Sequence, residues 1–204
     1  MLTLPDATEF KIFVDGQQMR EGAGEFLDAR RSLVMSSGIL RNELVWKSPS
    51  GKRIRVEERC AVSIFDKSMM MVDMTVEALD DDCELVVESM VREIAEEPEM
   101  DPTDPEPIAI VQGMTDPRMG DSRASSSLGL ISRVYEVEGG TLVWRTDRSR
   151  MMVALAYEHA TRVIVDDRVD DTVPVETDLK HLGHAIVTSF KVNLHRTNRF
   201  NIVK

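Results

Sequence analysis

Apolar and polar residues alternate along most of this chain. From Lys52 to Phe65, Ile54, Val56, Cys60, Val62 and Ile64 fall on one face, and Arg53, Arg55, Glu57 and Arg59 fall on the other; only Glu58 breaks the apolar series. A period of two belongs to a half-buried strand. The spacing therefore predicts that Ile54, Val56, Val62 and Ile64 point into a core and the arginines into solvent. Ile39–Lys47 reads as the partner strand, joined to it by Ser48-Pro49-Ser50-Gly51, which has the chemistry of a turn. The same alternation predicts strands over Phe10–Val14 (ending in Asp15-Gly16), Met70–Ala78, Leu85–Val91, Leu128–Val137, Thr141–Arg145, Met151–Tyr157, Arg162–Val165 and Ile186–Leu194. Turns are expected at Asp80-Asp81-Asp82 and at Glu138-Gly139-Gly140. Many short strands separated by turn residues specify an all-β sandwich or barrel.

Helical spacing is weak and confined to Glu88–Glu97, where Pro98, Pro102, Pro105 and Pro107 cut it off. Two long loops are expected, an acidic one over Glu96–Pro107 and a Gly/Ser/Asp/Arg-rich one over Met114–Ser127. Loops of this length in a compact domain are commonly functional. No internal repeat and no linker divides the 204 residues, so residues 1–204 are expected to form one domain.

Charge changes the picture in one place. The net charge is −11, yet Asp73–Pro107 holds fourteen acidic residues against Arg92 alone, and the rest of the chain is slightly basic. An acidic chain with no basic stripe argues against nucleic acid as a partner. No apolar run reaches the length of a membrane span, and the start of the chain does not read as a signal sequence. A cytoplasmic protein without membrane association is the expectation. Cys60 and Cys83 read as buried free thiols.

Candidate chemistry is sparse. His181 and His184 form the only close histidine pair among His159, His181, His184 and His195; they read as loop residues and lack a third ligand at metal spacing. Asp166-Asp167-Arg168-Val169-Asp170-Asp171 lacks the spacing of a calcium loop and reads as a solvated turn. Arg145, Arg148 and Arg150 cluster at a turn, where a solvated basic turn is the expected meaning. Trp46, Trp144, Tyr135 and Tyr157 are aromatic enough to stack on sugar rings, but packing is the expected role of each. No catalytic, cofactor-binding or metal-binding residue is assigned, and no cofactor is expected.

A set of short motifs goes further by its order. Leu4-Pro5-Asp6 is followed by Ile12-Phe13-Val14-Asp15-Gly16, Asp28-Ala29-Arg30-Arg31-Ser32-Leu33 and Gly38-Ile39-Leu40. Trp46 then leads into Pro49-Ser50-Gly51-Lys52-Arg53. Together these resemble the N-terminal domain of glycoside hydrolase family 65, and Ala61–Ile64, Arg148-Ser149-Arg150 and Thr161-Arg162-Val163 resemble its later strands. The segment Leu79–Pro107 departs from the family pattern. The family comprises phosphorylases of maltose, trehalose, kojibiose and related α-glucosides, with some trehalose hydrolases.

The resemblance implies a super-β-sandwich of two antiparallel sheets, partial relative to the family's full N-terminal domain. The catalytic barrel, with its general acid, is expected to lie outside this chain, so the chain alone is expected to be inactive. The implied role is a non-catalytic carbohydrate-recognition or accessory domain that shapes the active-site cleft and dimer interface of a parent enzyme. The alternative is a stand-alone sugar- or protein-binding module. An α-glucoside disaccharide or inorganic phosphate is expected as a partner only within the parent enzyme, and the chain is expected to form a homo-oligomer.

Overall fold

A computed structural model describes residues 6–92, 128–183 and 185–204. Both predicted long loops, Glu96–Pro107 and Met114–Ser127, lie outside the described residues, as does His184. The described residues form fifteen strands and no helix. In chain order these are β1 (Phe10–Val14), β2 (Gln17–Gln18), β3 (Glu25–Val34), β4 (Ile39–Lys47), β5 (Arg53–Val62), β6 (Met70–Ala78), β7 (Cys83–Arg92) and β8 (Leu128–Tyr135). They continue as β9 (Gly139–Thr146), β10 (Met152–Glu158), β11 (Ala160–Val165), β12 (Arg168–Val169), β13 (Glu176–Leu182), β14 (Ala185–Leu194) and β15 (Arg199–Val203).

All pairings are antiparallel, and they build three sheets: β13-β14-β7-β1-β2, β12-β11-β15-β6-β5-β4-β3, and β10-β9-β8. The arrangement has two layers. On the inner face of the five-stranded sheet, Leu85 and Val87 of β7 with Phe190, Val192 and Leu194 of β14 meet the seven-stranded sheet through Trp46, Ile54, Val76, Phe200 and Ile202. Further along the same two strands, Val91 and Ile186 meet Leu142 and Trp144 of the three-stranded sheet instead. One layer is thus a single sheet, and the other is two sheets side by side with a seam between them. The all-β sandwich expected from the alternation is the fold observed.

Turn chemistry places the corners. Asp15 and Gly16 both take positive φ (49° and 76°), the conformation of a two-residue hairpin loop, between β1 and β2. Asp166 and Asp167 do the same between β11 and β12, and Asp167 pairs with Arg199, so the acidic run is a turn.

The sequence reading needs correction at three places. Ile54 and Val56 are buried, but Val62 and Ile64 are 59% and 76% exposed. The seven-stranded sheet runs on past the strands that face it; a small inter-sheet gap lined by Phe10, Met19, Asn42 and Glu58 marks where that cover thins. Glu58, the break in the apolar series, sits there with its own partner, accepting a hydrogen bond from Asn42 Nδ2 on the neighbouring strand (2.9 Å).

The second correction concerns Gly139 and Gly140, which are strand residues; Glu136 and Gly139 close the turn before them by exchanging backbone hydrogen bonds. Their lack of a side chain makes room for Tyr157. A Cβ on Gly139 would lie 2.3 Å from the Tyr157 carbonyl oxygen, and one on Gly140 would lie 3.0 Å from the Tyr157 ring. The third is His181, which lies within β13 and stacks on Tyr135, rather than in a loop.

Candidate functional site: the cleft at the seam

The seam is polar at its base. On β7, Leu85, Val87, Ser89 and Val91 share one face, and Ser89 falls where the seven-stranded cover gives way to the three-stranded one. Its neighbour across the ladder is Thr188, and both are buried.

Two side chains reach Ser89 from the opposite layer. His159, the residue between β10 and β11, places Nε2 2.9 Å from Ser89 Oγ. Lys204 continues β15 in phase with Phe200 and Ile202, with its backbone paired to Val72 in both directions. Its Nζ donates to Ser89 Oγ (2.7 Å) and to the Met90 carbonyl (3.1 Å). The ammonium also lies 5.5 Å from the centre of the Phe10 ring and 5.4 Å from that of Tyr157, within cation–π range.

Burial sets the protonation of these groups by disfavouring charge. Burial, then the Lys204 cation, pushes the His159 imidazole down to about 4, and the Val137 carbonyl opposes this. Burial pushes the Lys204 amine down to about 7 against the pull of Asp6 and Glu9. Burial holds the Tyr157 phenol up at about 12. The two thiols are pushed up to about 11, chiefly by burial, so neither is an activated nucleophile.

Above this base the seam opens into a cleft of about 1140 Å³. One wall is the Met69–Val72 segment, and the other is the hairpin of Glu136, Glu138 and Gly140 with the β10 residues Ala154–Glu158. Exposed Met69, Met70 and Met71 offer a soft, adaptable apolar surface. The opposite wall carries the exposed carboxylates of Glu136, Glu138 and Glu158. The cleft can therefore present an apolar side and an acceptor-rich side to whatever enters it.

The residues weighed from sequence distribute differently. Trp46 and Trp144 are buried core, as expected, with Trp46 Nε1 donating to the Ala23 carbonyl (2.9 Å). Tyr157 lines the cleft over the glycine pair, and Tyr135 packs beside the Leu142–Trp144 cluster. Arg145, Arg148 and Arg150 lie at the far end of β9, around the turn into β10 and away from the cleft. Among the described residues, no group of three or more His, Cys, Asp or Glu is placed to hold a metal ion.

Sequence reasoning missed Ser89, His159 and Lys204 as a unit. A signal existed for two of them. Ser89 interrupts the apolar face of β7, and the phase of Phe200 and Ile202 turns Lys204 inward.

The chain has recognisable relatives. The model of the N-terminal domain of glycosyl hydrolase family 65 matches residues 1–204. An uncharacterized glycosyl hydrolase of Mycobacterium leprae is 29% identical over 184 residues, spanning 87% of this chain and 21% of the relative. The alpha,alpha-trehalose phosphorylase of Thermoanaerobacter brockii is 21% identical over 178 residues, with the same two coverages of 87% and 21%. Among solved structures, a protein described as a kojibiose phosphorylase from the human microbiome superposes with a TM-score of 0.66. That match covers 100% of this chain and 22% of the other at 10% identity, so it shows a shared fold. The chain spans about a fifth of the length of the curated relatives it matches.

Proposed function

Because the chain belongs to glycosyl hydrolase family 65, as the N-terminal domain of a phosphorylase-like enzyme, we propose that it serves its parent as a non-catalytic accessory domain, seated against the catalytic part and bordering its sugar-binding cleft. One observation carries this reading. At the uncovered end of the seven-stranded sheet the register puts Leu33, Val62 and Met70 on one face, all exposed, and the turn beyond β5 adds exposed Ile64 and the fully exposed Phe65. Contiguous apolar surface of this kind marks an interaction site. A general acid for glycosidic cleavage needs a carboxyl held across a cleft from its counterpart, usually in a sheltered setting. The carboxylates of the seam cleft instead stand exposed on a hairpin and a strand. An α-glucoside disaccharide and inorganic phosphate are accordingly partners of the parent enzyme, and assembly into a homo-oligomer is part of the same proposal.

The test compares the isolated chain with the parent enzyme. Pure chain incubated with maltose, trehalose or kojibiose, with and without phosphate, is expected to release no glucose and no glucose phosphate. Turnover by the chain alone overturns the reading. In the parent enzyme, Phe65→Ser with Ile64→Ser is expected to lower the stability of the whole protein while leaving the melting of the isolated chain unchanged. Equal effects in both contexts would remove the apolar end from the interface.

A further inference from the structure

The base of the seam holds a hydrogen-bond chain that tolerates only one extra proton. Ser89 Oγ has one hydrogen to give and lone pairs to receive. Lys204, as an ammonium, can only donate to it, so the serine hydrogen turns toward His159 Nε2 and the imidazole accepts. A protonated imidazole would have to donate to the same oxygen. Two cations would then point at one hydroxyl, whose own hydrogen would lose its acceptor, in a site where Ser89 is 1% exposed. Unpaired buried groups and facing like charges are both costly.

This hydrogen-bond chain ties together all three sheets, because His159 is the single residue that joins the three-stranded sheet (β10) to the seven-stranded one (β11). Ser89 lies on β7 of the five-stranded sheet, and Lys204 extends β15 of the seven-stranded sheet. His159 continues β10 of the three-stranded sheet, and its backbone N–H donates to the Glu138 carbonyl at the tip of the β8–β9 hairpin (2.6 Å). Its ring is held edge-on by Tyr157 and Phe190 at 5.5 and 5.3 Å. We infer that Lys204, Ser89 and His159 form an acid-released latch that holds the three-stranded sheet against the sandwich and so sets the width of the seam cleft.

The groups that face the latch support this direction. Asp6 and Glu9 on the segment entering β1 pull on the Lys204 ammonium, while Arg92 is engaged by Glu9 (2.7 Å). Glu136, Glu138 and Glu158 stand on the cleft rim, at the hairpin and the end of β10. Tyr157 is neutral throughout the acid range. Lys204, held at about 7, becomes fully charged as pH falls through neutrality; His159, held at about 4 but ordinarily near 6.5, is the member whose release is coupled to proton uptake between neutrality and pH 5. Its release leaves the three-stranded sheet held at the apolar contact of Leu142 and Trp144 with Val91 and Ile186 and at His181 of β13, which stacks on Tyr135 and hydrogen-bonds Arg133 (3.0 Å).

Hydrogen exchange read by mass spectrometry on the full 204-residue chain tests the latch, with rates corrected for the intrinsic pH dependence. Between pH 7 and pH 5, protection over β8–β10 is expected to fall roughly tenfold while β5 and β6 hold theirs, because a His that must be neutral couples opening to proton uptake. His159→Gln is expected to abolish the selective fall, and Ser89→Ala to loosen β8–β10 already at pH 7. Should His159→Gln lose protection in β5 and β6 as well, His159→Phe, which keeps the ring contacts, replaces it. The same fall in the variant as in the wild type, or no selective fall in the wild type, overturns the latch.

Discussion

The most perturbed residues of this domain are not at its surface but at the junction of its sheets, and they set how its stability responds to pH. His159 is held near 4 in the fold, whereas an unfolded chain binds a proton at about 6.5. The unfolded state therefore carries more protons between those values, and stability falls as pH drops through that window, then levels below it. The loss is on the order of 2–3 kcal/mol. The lowered carboxylates of Asp15, Asp80 and Asp82 act in a lower window, since their stabilisation is lost only as pH falls below the ordinary carboxylate range. Lys204, lowered to about 7, contributes the opposite end: the unfolded state is the more protonated between about 7 and 10.5, so stability rises with pH there. Urea midpoints at pH 7, 5.5 and 4.5 are expected to decline for the wild type and to stay nearly level over that range in His159→Gln. Parallel declines would mean that another group carries the acid sensitivity.

At the scale of elements, period-two alternation located most of the strands, because the pleat forces it. Met70–Ala78 and Ile39–Lys47 emerge with the bounds the pattern predicts. Alternation tells which side chains share a face, but it cannot tell what covers that face. Ile54 and Ile64 are in phase, yet Ile54 is fully buried under β14 and β7 while Ile64 lies beyond their reach. Truncating Ile54 to Ala should cost about 2–5 kcal/mol through lost burial and the cavity left behind. Ile64→Ala should stay within about 0.5 kcal/mol in this chain, as exposed positions do. Chemical denaturation of the two variants separates them, and similar losses would show that Ile64 is covered after all. The edge strand β3 escaped the pattern because its large apolar residues come in adjacent pairs, Phe26-Leu27 and Leu33-Val34, that do not alternate, in a strand exposed along its whole length. Gly139 and Gly140 misled for a related reason. A glycine pair after an acidic residue has the composition of a turn, and only the approach of Tyr157 from another strand shows that it is there for space.

At the scale of the whole molecule, the layer structure was legible and the seam was not. A seam exists because two sheets share one layer, and that depends on pairings between strands far apart in sequence, such as β11 with β15 and β15 with β6. The same architecture leaves surfaces that govern association. Among the described residues β3 is an edge strand, paired on one side only and exposed along its length, and such edges recruit further strands. Beside it lies the apolar end around Val62, Ile64 and Phe65. Against association stands a net charge of −11, whose repulsion acts over a screening length of about 8 Å at physiological ionic strength and less at higher salt. Adding salt weakens the repulsion and leaves the apolar and backbone terms in place. The chain is therefore expected to form dimers or larger species, increasingly so as salt rises, and light scattering over a salt series measures this. Phe65→Ser should shift the curve to higher salt if the apolar end carries the contact, and Leu27→Lys should do so if the β3 edge carries it. A species that stays monomeric at high protein and high salt would show that the edge and the apolar end are each protected within the chain, and would favour a self-sufficient module over a domain built to be covered.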